Sequence, residues 1–204
     1  MSFYVKQLLE YVEEKMSLTI YRSPGTKETF ISDDEVQVLQ GSGRVYFRSA
    51  AAKLLYLAKH MRPDIVTVVT FFCRRVQNAT IEDERKLARV RVLGYLKGTA
   101  DHTLMQCMLG MECNIVACVD AAYALQSNYK SHAGVVIYVG GTLVYVASRK
   151  QKCMSKSLTE AELIALMDNL DLMELFQEFV EFVTKKRIKA PGLNAGVNMG
   201  NNKE

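Results

Sequence analysis

Two carboxylates lie where the predicted secondary structure would bring acidic groups together. Asp120 follows an apolar run, residues 114–119, that predicts a strand, and Glu162 lies in the first turn of a long amphipathic helix, in the segment SLTEAELIAL. Carboxylate oxygens are ligands that Mg²⁺ prefers, and phosphodiester hydrolysis by two metal ions needs several of them. The pattern therefore predicts part of a magnesium site. The alternative to a metal site is a structural role for each acid: Asp120 would cap a turn, and Glu162 would only start its helix.

Four basic residues flank the start of the same helix and could contact the backbone of a nucleic acid. The net charge of the chain is +4, and part of the excess lies in local clusters. The cluster nearest the two acids consists of Arg149, Lys150, Lys152 and Lys156. Such clusters can bind phosphate, although solvated loops have the same composition. His132 is expected to be a surface residue without a catalytic role.

Composition limits the class of protein. Of the 204 residues, 49% are hydrophobic and 24% are charged, which is typical of a soluble globular protein. No apolar run reaches the roughly 18 residues that a membrane span requires, so no membrane association is expected. The five cysteines show no CxxC spacing. They are expected to be reduced thiols, which indicates an intracellular protein, cytoplasmic or nuclear.

The first half of the sequence predicts an all-α module. The N-terminus is expected to be an amphipathic helix, and residues 17–46 a connecting segment. Thr80 and Asp83 form a capping-box pattern at the start of one helix. Pro63 suits the first turn of another, where its missing N–H costs nothing. Beyond the N-terminal helix, the predicted helices cover residues 47–61, 64–76 and 80–97.

After residue 103 the hydrophobic period changes to that of strands. Gly140 and Gly141 predict a two-residue hairpin turn. Thr159 and Glu162 form a second capping-box pattern, which opens the long helix. The predicted strands cover residues 103–109, 114–121, 131–139 and 142–148. The inward face of the long helix is expected to carry Leu163, Leu166, Leu170, Met173, Phe176 and Val180.

Several blocks, taken in order along the chain, resemble one family. They are residues 52–99, the segment VDAAYA, residues 130–152 and the segment SLTEAELIAL. Together they are similar to the end of the reverse transcriptase and the start of the ribonuclease H in copia-type retrotransposon Pol polyproteins. The resemblance covers roughly residues 45–190.

The resemblance implies a domain organisation and an α+β fold class. Residues 1–110 would be a region like the thumb and connection of reverse transcriptase, built as a helical module. Residues 111–190 would be a partial ribonuclease H-like domain, a truncated β-β-β-α unit. Residues 191–204, rich in Gly and Asn, are expected to be a disordered tail.

The same resemblance assigns the candidate site. Asp120 matches the first catalytic aspartate of the family and Glu162 its catalytic glutamate, whereas Glu160 is expected to help start the helix. Both site residues would be ligands of Mg²⁺. The stretch that should supply a third acid reads GLNAGVNMGN and contains none. The family activity, Mg²⁺-dependent hydrolysis of RNA in RNA/DNA hybrids, is therefore expected to be absent from this chain.

Two further expectations concern partners. The chain could be a remnant of a retroelement that binds nucleic acid, or another partner, without catalysis. RNA/DNA hybrid is the nucleic acid that the resemblance suggests. A three-stranded sheet covered by one helix leaves an edge and one face exposed, so a partner chain could complete the sheet.

Overall fold

The computed structural model describes two compact units, Met1–Leu104 and Met105–Glu204. The sequence-based boundary lies after residue 110. The structure describes residues 2–13, 17–30, 37–88, 91–102, 104, 114–124, 129–188 and 191–195. In these ranges no helix is long and apolar enough to cross a membrane.

The regular secondary structure in the described ranges of unit 1 is helical, apart from one isolated bridge between Val38 and Thr80. Its helices are α1 (Ser2–Glu13), α2 (Gly41–His60), α3 (Val66–Arg75), α4 (Ile81–Ala88) and α5 (Arg91–Gly98), with short 3₁₀ turns at Lys27–Phe30 and Pro63–Ile65. The helices predicted at the N-terminus and over residues 47–61 and 64–76 are confirmed, and the 3₁₀ turn begins at Pro63 as its missing N–H suggests. The single helix predicted over residues 80–97 is found as two helices, α4 and α5, and residues 89 and 90 between them lie outside the described residues. α2 begins six residues before its predicted start, inside the segment expected to be a connection.

The capping box at the start of α4 forms as its sequence predicts. The Asp83 carboxylate accepts hydrogen bonds from the backbone N–H of Thr80 at 2.9 Å and from its hydroxyl at 3.0 Å. The Thr80 hydroxyl in turn accepts from the backbone N–H of Asp83 at 3.2 Å. Arg75, at the end of α3, also donates to this carboxylate, at 2.7 Å. Asp83 thus joins two helices while it starts one of them.

A second polar cluster joins the segment before α3 to the end of α5. The buried guanidinium of Arg62 donates to the Asp64 carboxylate at 2.8 Å and to the backbone carbonyl of Thr99 at 2.9 Å. The Tyr95 hydroxyl donates to the same carboxylate at 2.8 Å. Burial alone would raise the pKa of Asp64, but the hydrogen bonds from Arg62 and Tyr95 outweigh it and hold this pKa below its ordinary value.

The lowered pKa of Asp64 predicts acid sensitivity in unit 1. Because the folded state has the lower pKa, the carboxylate stabilises the fold above the unfolded value of about 3.9. This stabilisation is lost as the pH falls through the folded pKa. The difference in unfolding free energy between the wild type and Asp64→Asn should therefore be largest near neutral pH and shrink below about pH 4. Urea unfolding across a pH series measures it, with the exposed Asp101→Asn as control. A difference that is constant from neutral pH down to strong acid would contradict this role.

The described residues of unit 2 form a four-stranded sheet and a long helix. The strands are β1 (Ile115–Ala122), β2 (His132–Val139), β3 (Thr142–Lys150) and β4 (Gly192–Ala195), and the helix α6 covers Leu158–Thr184. The order across the sheet is β3-β2-β1-β4. β1 and β2 pair antiparallel, as do β2 and β3, whereas β4 pairs parallel to β1. The α+β class and the three consecutive antiparallel strands are therefore as predicted.

The β2–β3 hairpin turns on two glycines in the left-handed region. Gly140 has φ 56° and Gly141 has φ 79°, and both values are strained for residues with a Cβ. Positive φ at both central positions defines the hairpin turn that matches the twist of a sheet. The predicted two-residue connection is confirmed.

α6 packs on one face of the sheet. Its buried side chains include Ala161, Ala165, Met173 and Val180, which join inward residues of β1, β2 and β3 in one apolar core. The predicted inward face is only partly correct, because Leu163 is exposed. Small alanines face the sheet at the start of the helix, where they allow its backbone to approach the strands.

The helix start also differs from its prediction. The N-cap of α6 is Ser157, whose hydroxyl accepts from the backbone N–H of Glu160 at 3.2 Å. The Glu160 carboxylate accepts from the backbone N–H of Lys156 at 2.6 Å. The capping pair is therefore Ser157 and Glu160, not Thr159 and Glu162. The expected role of Glu160 in starting the helix is confirmed.

The segment expected to be a tail contains structure. Residues 192–195 form β4, so the disorder expected over residues 191–204 does not hold for these four. Their backbone pairs with β1, from Val116–Gly192 to Val119–Ala195, which no local pattern in the sequence indicates. Residues 196–204 lie outside the described residues, as does nearly all of the strand predicted over 103–109.

Candidate functional site

Asp120 lies near the C-terminal end of β1, on an exposed position of the strand. Ile115, Ala117, Val119 and Ala121 point into the core beneath α6, so the alternating geometry of the strand places Asp120 on the opposite face. Its pairing partner in β2 is Gly134, which has no side chain to cover it. The carboxylate is therefore open to solvent and to ligands.

Glu162 is half-buried in the early part of α6, next to the buried Ala161. Two hydrogen bonds fix this end of the helix. The Gln151 side chain, directly after β3, donates to the Ala161 carbonyl at 2.7 Å. The Tyr123 hydroxyl, directly after β1, donates to the Lys156 carbonyl at 3.2 Å. The end of β1 and the start of α6 therefore meet at the same end of the unit.

The two candidate acids thus share one end of unit 2 but belong to different layers. Asp120 projects from the sheet face that α6 does not cover, whereas Glu162 belongs to the helix on the other face. Among the described residues no group of three His, Cys, Asp or Glu side chains could hold a metal ion. Two carboxylates are fewer than the several that a pair of divalent cations would need.

His132 occupies a different position from the one expected. It is buried in β2, not on the surface, and its Nε2 lies 2.6 Å from the Ser148 hydroxyl of β3. The pairing of β2 with β3 places these residues on the sheet face that also carries Asp120. The ring therefore holds two strands together beside the candidate acid.

The four predicted cations lie at the end of β3 and in the segment that leads from it to α6. Arg149, Lys152 and Lys156 are exposed, and Lys150 is half-buried. The hairpin adds a fifth cation, because the Lys130 ammonium donates to the Lys152 carbonyl. Sequence reasoning missed Lys130, which is 19 or more residues away from each of the other four in the chain. The register of the hairpin, His132 opposite Lys150, would have revealed it. We name Lys130, Arg149, Lys150, Lys152 and Lys156 the cationic cluster.

Buried polar contacts anchor the loop that carries the cationic cluster. The Ser131 and Ser155 hydroxyls lie 2.6 Å apart and are buried. The backbone N–H of Gln151 donates to the Ser131 carbonyl at 2.9 Å, which extends the β2–β3 pairing past the strand ends. Lys152 therefore lies in a loop with buried anchors at both ends, and Lys156 directly follows the second anchor.

The chain is similar to several proteins of plant retroelements. It is 34% identical over 121 residues to an uncharacterized mitochondrial protein, AtMg00810, of Arabidopsis thaliana. The aligned residues make up 59% of this chain and 49% of that protein. It is 30% identical over 139 residues to the retrovirus-related Pol polyprotein from transposon TNT 1-94 of Nicotiana tabacum, which covers 68% of this chain and 10% of the polyprotein. It is 34% identical over 117 residues to the retrovirus-related Pol polyprotein from transposon RE2 of Arabidopsis thaliana, 57% of this chain and 8% of that one.

No family model matches the chain, and no solved structure matches it. The chain spans about half the length of the mitochondrial relative and about a tenth of the tobacco polyprotein. Identities of 30–34% over more than half of the chain agree with the family that its motifs indicate. The chain is thus homologous to retrovirus-related Pol polyproteins of copia-type transposons.

Proposed function

We propose that unit 2 is a ribonuclease H-like module of a retroelement Pol polyprotein and that this chain alone does not cleave RNA. The observation that carries the proposal is the position of β4, which follows α6 and pairs parallel to β1. The family resemblance implies this sequence of three antiparallel strands, a helix and a parallel strand. β1, which carries Asp120, consequently lies inside the sheet between β2 and β4.

Asp120 and Glu162 are the residues that would hold Mg²⁺. Asp120 would offer its carboxylate from the open sheet face and Glu162 from the start of α6. A bound Mg²⁺ ion would neutralise phosphate charge and lower the pKa of its water. The Lys156 side chain, close to the N-terminus of α6, would hold the phosphate backbone of the hybrid near these acids.

The argument for inactivity is the number of acids. Two carboxylates carry two negative charges, whereas two divalent cations carry four positive ones and need bridging ligands. β4, the strand beside Asp120, reads Gly-Leu-Asn-Ala and supplies no acid. The sequence from residue 185 to residue 203 also contains no Asp or Glu. Substrate phosphate and water would have to supply the remaining ligands.

An assay of the full chain with Mg²⁺ and a labelled RNA/DNA hybrid tests this proposal. We expect no cleavage above the buffer background, because the acids cannot hold two ions. If a trace of cleavage occurs, Asp120→Asn and Glu162→Gln should each abolish it, since the cation needs the charge and not the shape of the side chain. Glu160→Gln is the matched control, because Glu160 caps the helix.

Robust cleavage that survives Asp120→Asn would overturn both the site and the claim of inactivity. Cleavage that both site variants abolish, but Glu160→Gln does not, would support the site and overturn the inactivity alone. The two parts of the proposal can therefore be separated in one set of assays.

For unit 1 we propose a structural role like that of the thumb and connection of a reverse transcriptase. Its support is that the regular elements among its described residues are all helices, together with the sequence block at residues 52–99. Neither polar cluster of this unit is arranged for catalysis. The Arg62–Asp64 pair is linked to α5 through Thr99 and Tyr95, and the Arg75–Asp83 pair joins α3 to α4.

A second candidate function is the binding of nucleic acid without catalysis. The observation that favours it is the cationic cluster, which β2, β3 and the loop before α6 bring together. Charges fixed on an anchored loop bind a phosphate backbone at a lower entropic cost than charges on mobile chains. This function needs neither Asp120 nor Glu162.

Binding through the cationic cluster should weaken steeply with salt. Each phosphate contact contributes about 0.7–0.9 to the slope of log affinity against log salt concentration. Replacing three exposed members should flatten the slope by about 2–3 and weaken binding at low salt. Fluorescence anisotropy with an RNA/DNA hybrid measures both. The variant is Arg149→Gln, Lys152→Gln, Lys156→Gln, and the control with the same charge loss is Lys185→Gln, Lys186→Gln, Arg187→Gln. Equal losses in both variants would show that only net charge matters.

A further inference from the structure

The outer side of α6 exposes a line of large apolar side chains. Six of them are between 58% and 82% exposed. Five are spaced by four or eight residues, which places them in one row that is inclined to the helix axis, along roughly 30 Å of its length. We name these residues the α6 ridge: Leu163, Met167, Leu175, Phe179, Phe182 and Val183.

The α6 ridge is not needed for the core of unit 2. The sheet contacts the other side of the helix, where Ala161, Ala165, Met173 and Val180 are buried. An amphipathic helix of a monomer normally has polar residues on its outer side. Contiguous exposed apolar patches mark sites where proteins bind partners. The ridge therefore has the character of an interface and not of a solvated surface.

The charge of α6 limits what can cover the ridge. The helix contains seven acids, Glu160, Glu162, Asp168, Asp171, Glu174, Glu178 and Glu181, and no Lys, Arg or His. Asp171 lies within the ridge, four residues from both Met167 and Leu175. Glu174 and Glu178 lie beside it, and both are exposed. Within the described residues no ion pair neutralises these three acids.

This charge argues against a second copy of the chain as the occupant. Two α6 ridges packed together would bring Asp171, Glu174 and Glu178 of both copies, six carboxylates, close to one another, and like charges at an interface cost free energy. A helix with apolar residues on one side and Lys or Arg beside them would instead match both features. Rows of side chains spaced by four residues pack into the grooves of a facing helix.

We propose that the α6 ridge is a docking site for a cationic amphipathic helix of another protein. The apolar side chains of that helix would cover Leu175, Phe179 and Phe182, and its Lys or Arg residues would lie opposite Asp171, Glu174 and Glu178. This is recognition of an amphipathic helix by an apolar surface, with the acids giving specificity for basic partners. It involves neither Asp120 nor the cationic cluster.

The test uses synthetic peptides of about 20 residues and the full chain. One peptide is a lysine-rich amphipathic helix with leucines on one side, the second has the same pattern with every Lys replaced by Glu, and the third is the lysine peptide with its order scrambled. Fluorescence anisotropy should show binding of the first peptide at least about tenfold tighter than that of the other two. Equal binding of the lysine and glutamate peptides would overturn the proposal.

Variants then locate the binding. Leu175→Ser with Phe179→Ser should weaken binding of the lysine peptide by about tenfold or more, because apolar contacts at the centre of an interface carry much of its energy. Val45→Ser in α2 is the control, since it removes an equally exposed apolar side chain outside the ridge. Circular dichroism checks that each variant keeps its helix content. Unchanged binding to the double ridge variant would overturn the proposal.

A reversal of charge provides the second, independent arm. Asp171→Lys with Glu174→Lys and Glu178→Lys leaves the apolar ridge intact and should reverse the preference, so that the glutamate peptide binds tighter. Retained preference for the lysine peptide would place the binding elsewhere on the chain. Sedimentation of the unmodified chain tests the other occupant. If the unmodified chain sediments as a dimer and the Leu175→Ser, Phe179→Ser variant as a monomer, a second copy covers the ridge. That result would also overturn the proposal.

Discussion

Replacing Gly94 with alanine is expected to unfold unit 1 or to destabilise it by about 3 kcal/mol or more. A Cβ at this position of α5 would lie 1.9 Å from the backbone carbonyl oxygen of Thr19 and 2.7 Å from the ring of Tyr21. Because the closest atom belongs to the backbone, no side-chain rotation can relieve the overlap. Urea unfolding followed by far-ultraviolet circular dichroism, with hydrogen exchange in α5, measures the loss.

Two other glycines provide controls for this prediction. A Cβ at Gly43 in α2 would meet the flexible side chain of Leu39 at 3.2 Å, and a Cβ at Gly134 in β2 would meet nothing within 4 Å. Gly43→Ala also gains helix propensity, worth roughly 1 kcal/mol. Both variants should therefore remain folded. A Gly94→Ala protein as stable as these two would show that the segment around Thr19 does not pack against α5 as described.

Asp83→Ala is the second substitution with a large expected effect, a loss of about 3–5 kcal/mol. Asp83 is 3% exposed and accepts four hydrogen bonds from two residues through one carboxylate, including the guanidinium of Arg75 at 2.7 Å. The substitution leaves the largely buried guanidinium of Arg75 without its carboxylate partner. It also removes the cap of α4. The loss should appear in urea unfolding and as faster hydrogen exchange at the start of α4.

The neighbouring Glu82 provides the matched control. Its carboxylate lies 3.8 Å from the guanidinium of Arg85, and both side chains are more than a third exposed. Exposed pairs of this kind contribute between nothing and about 1 kcal/mol. Glu82→Ala should therefore be nearly neutral, and its small effect should disappear in high salt. Equal losses from Asp83→Ala and Glu82→Ala would contradict the joining role of Asp83.

Local patterns predicted those parts of the fold that depend on neighbouring residues. The Thr80–Asp83 capping box needs residues three apart, and the Gly140–Gly141 turn needs residues side by side. The start of α6 shows where local reasoning becomes ambiguous. Ser157–Glu160 and Thr159–Glu162 both fit the capping-box pattern. The choice between them depends on which side of the helix faces the sheet, and that is a tertiary property.

The inward side of α6 was mispredicted for a related reason. Hydrophobicity favours Leu163 over Ala161 as a core residue, and the helix has apolar residues on both sides. Where a helix lies close to a sheet, the space between the backbones suits alanine better than leucine. The packing distance decides this preference, and the sequence of the helix alone does not contain that distance.

The candidate site was predictable in its residue types but not in its assembly. The motifs identified Asp120, Glu162 and four cations, since each lies in a short recognisable segment. The addition of Lys130 depends on the register of a hairpin, and the pairing of β4 with β1 depends on residues at opposite ends of the unit. Neither relation is contained in a local window of sequence.

The parallel pairing of β4 also determines the order in which unit 2 can form. The β2–β3 hairpin closes a two-residue turn, so its formation costs little loop entropy and is fast. Val116 and Gly192 pair across nearly the whole unit, and that loop can close only after α6 has settled on the sheet. Because β4 has only four residues, few hydrogen bonds hold it in the sheet. We therefore expect β4 to join the sheet last and to leave it first, which would turn β1 from an inner into an edge strand while the hairpin stays intact.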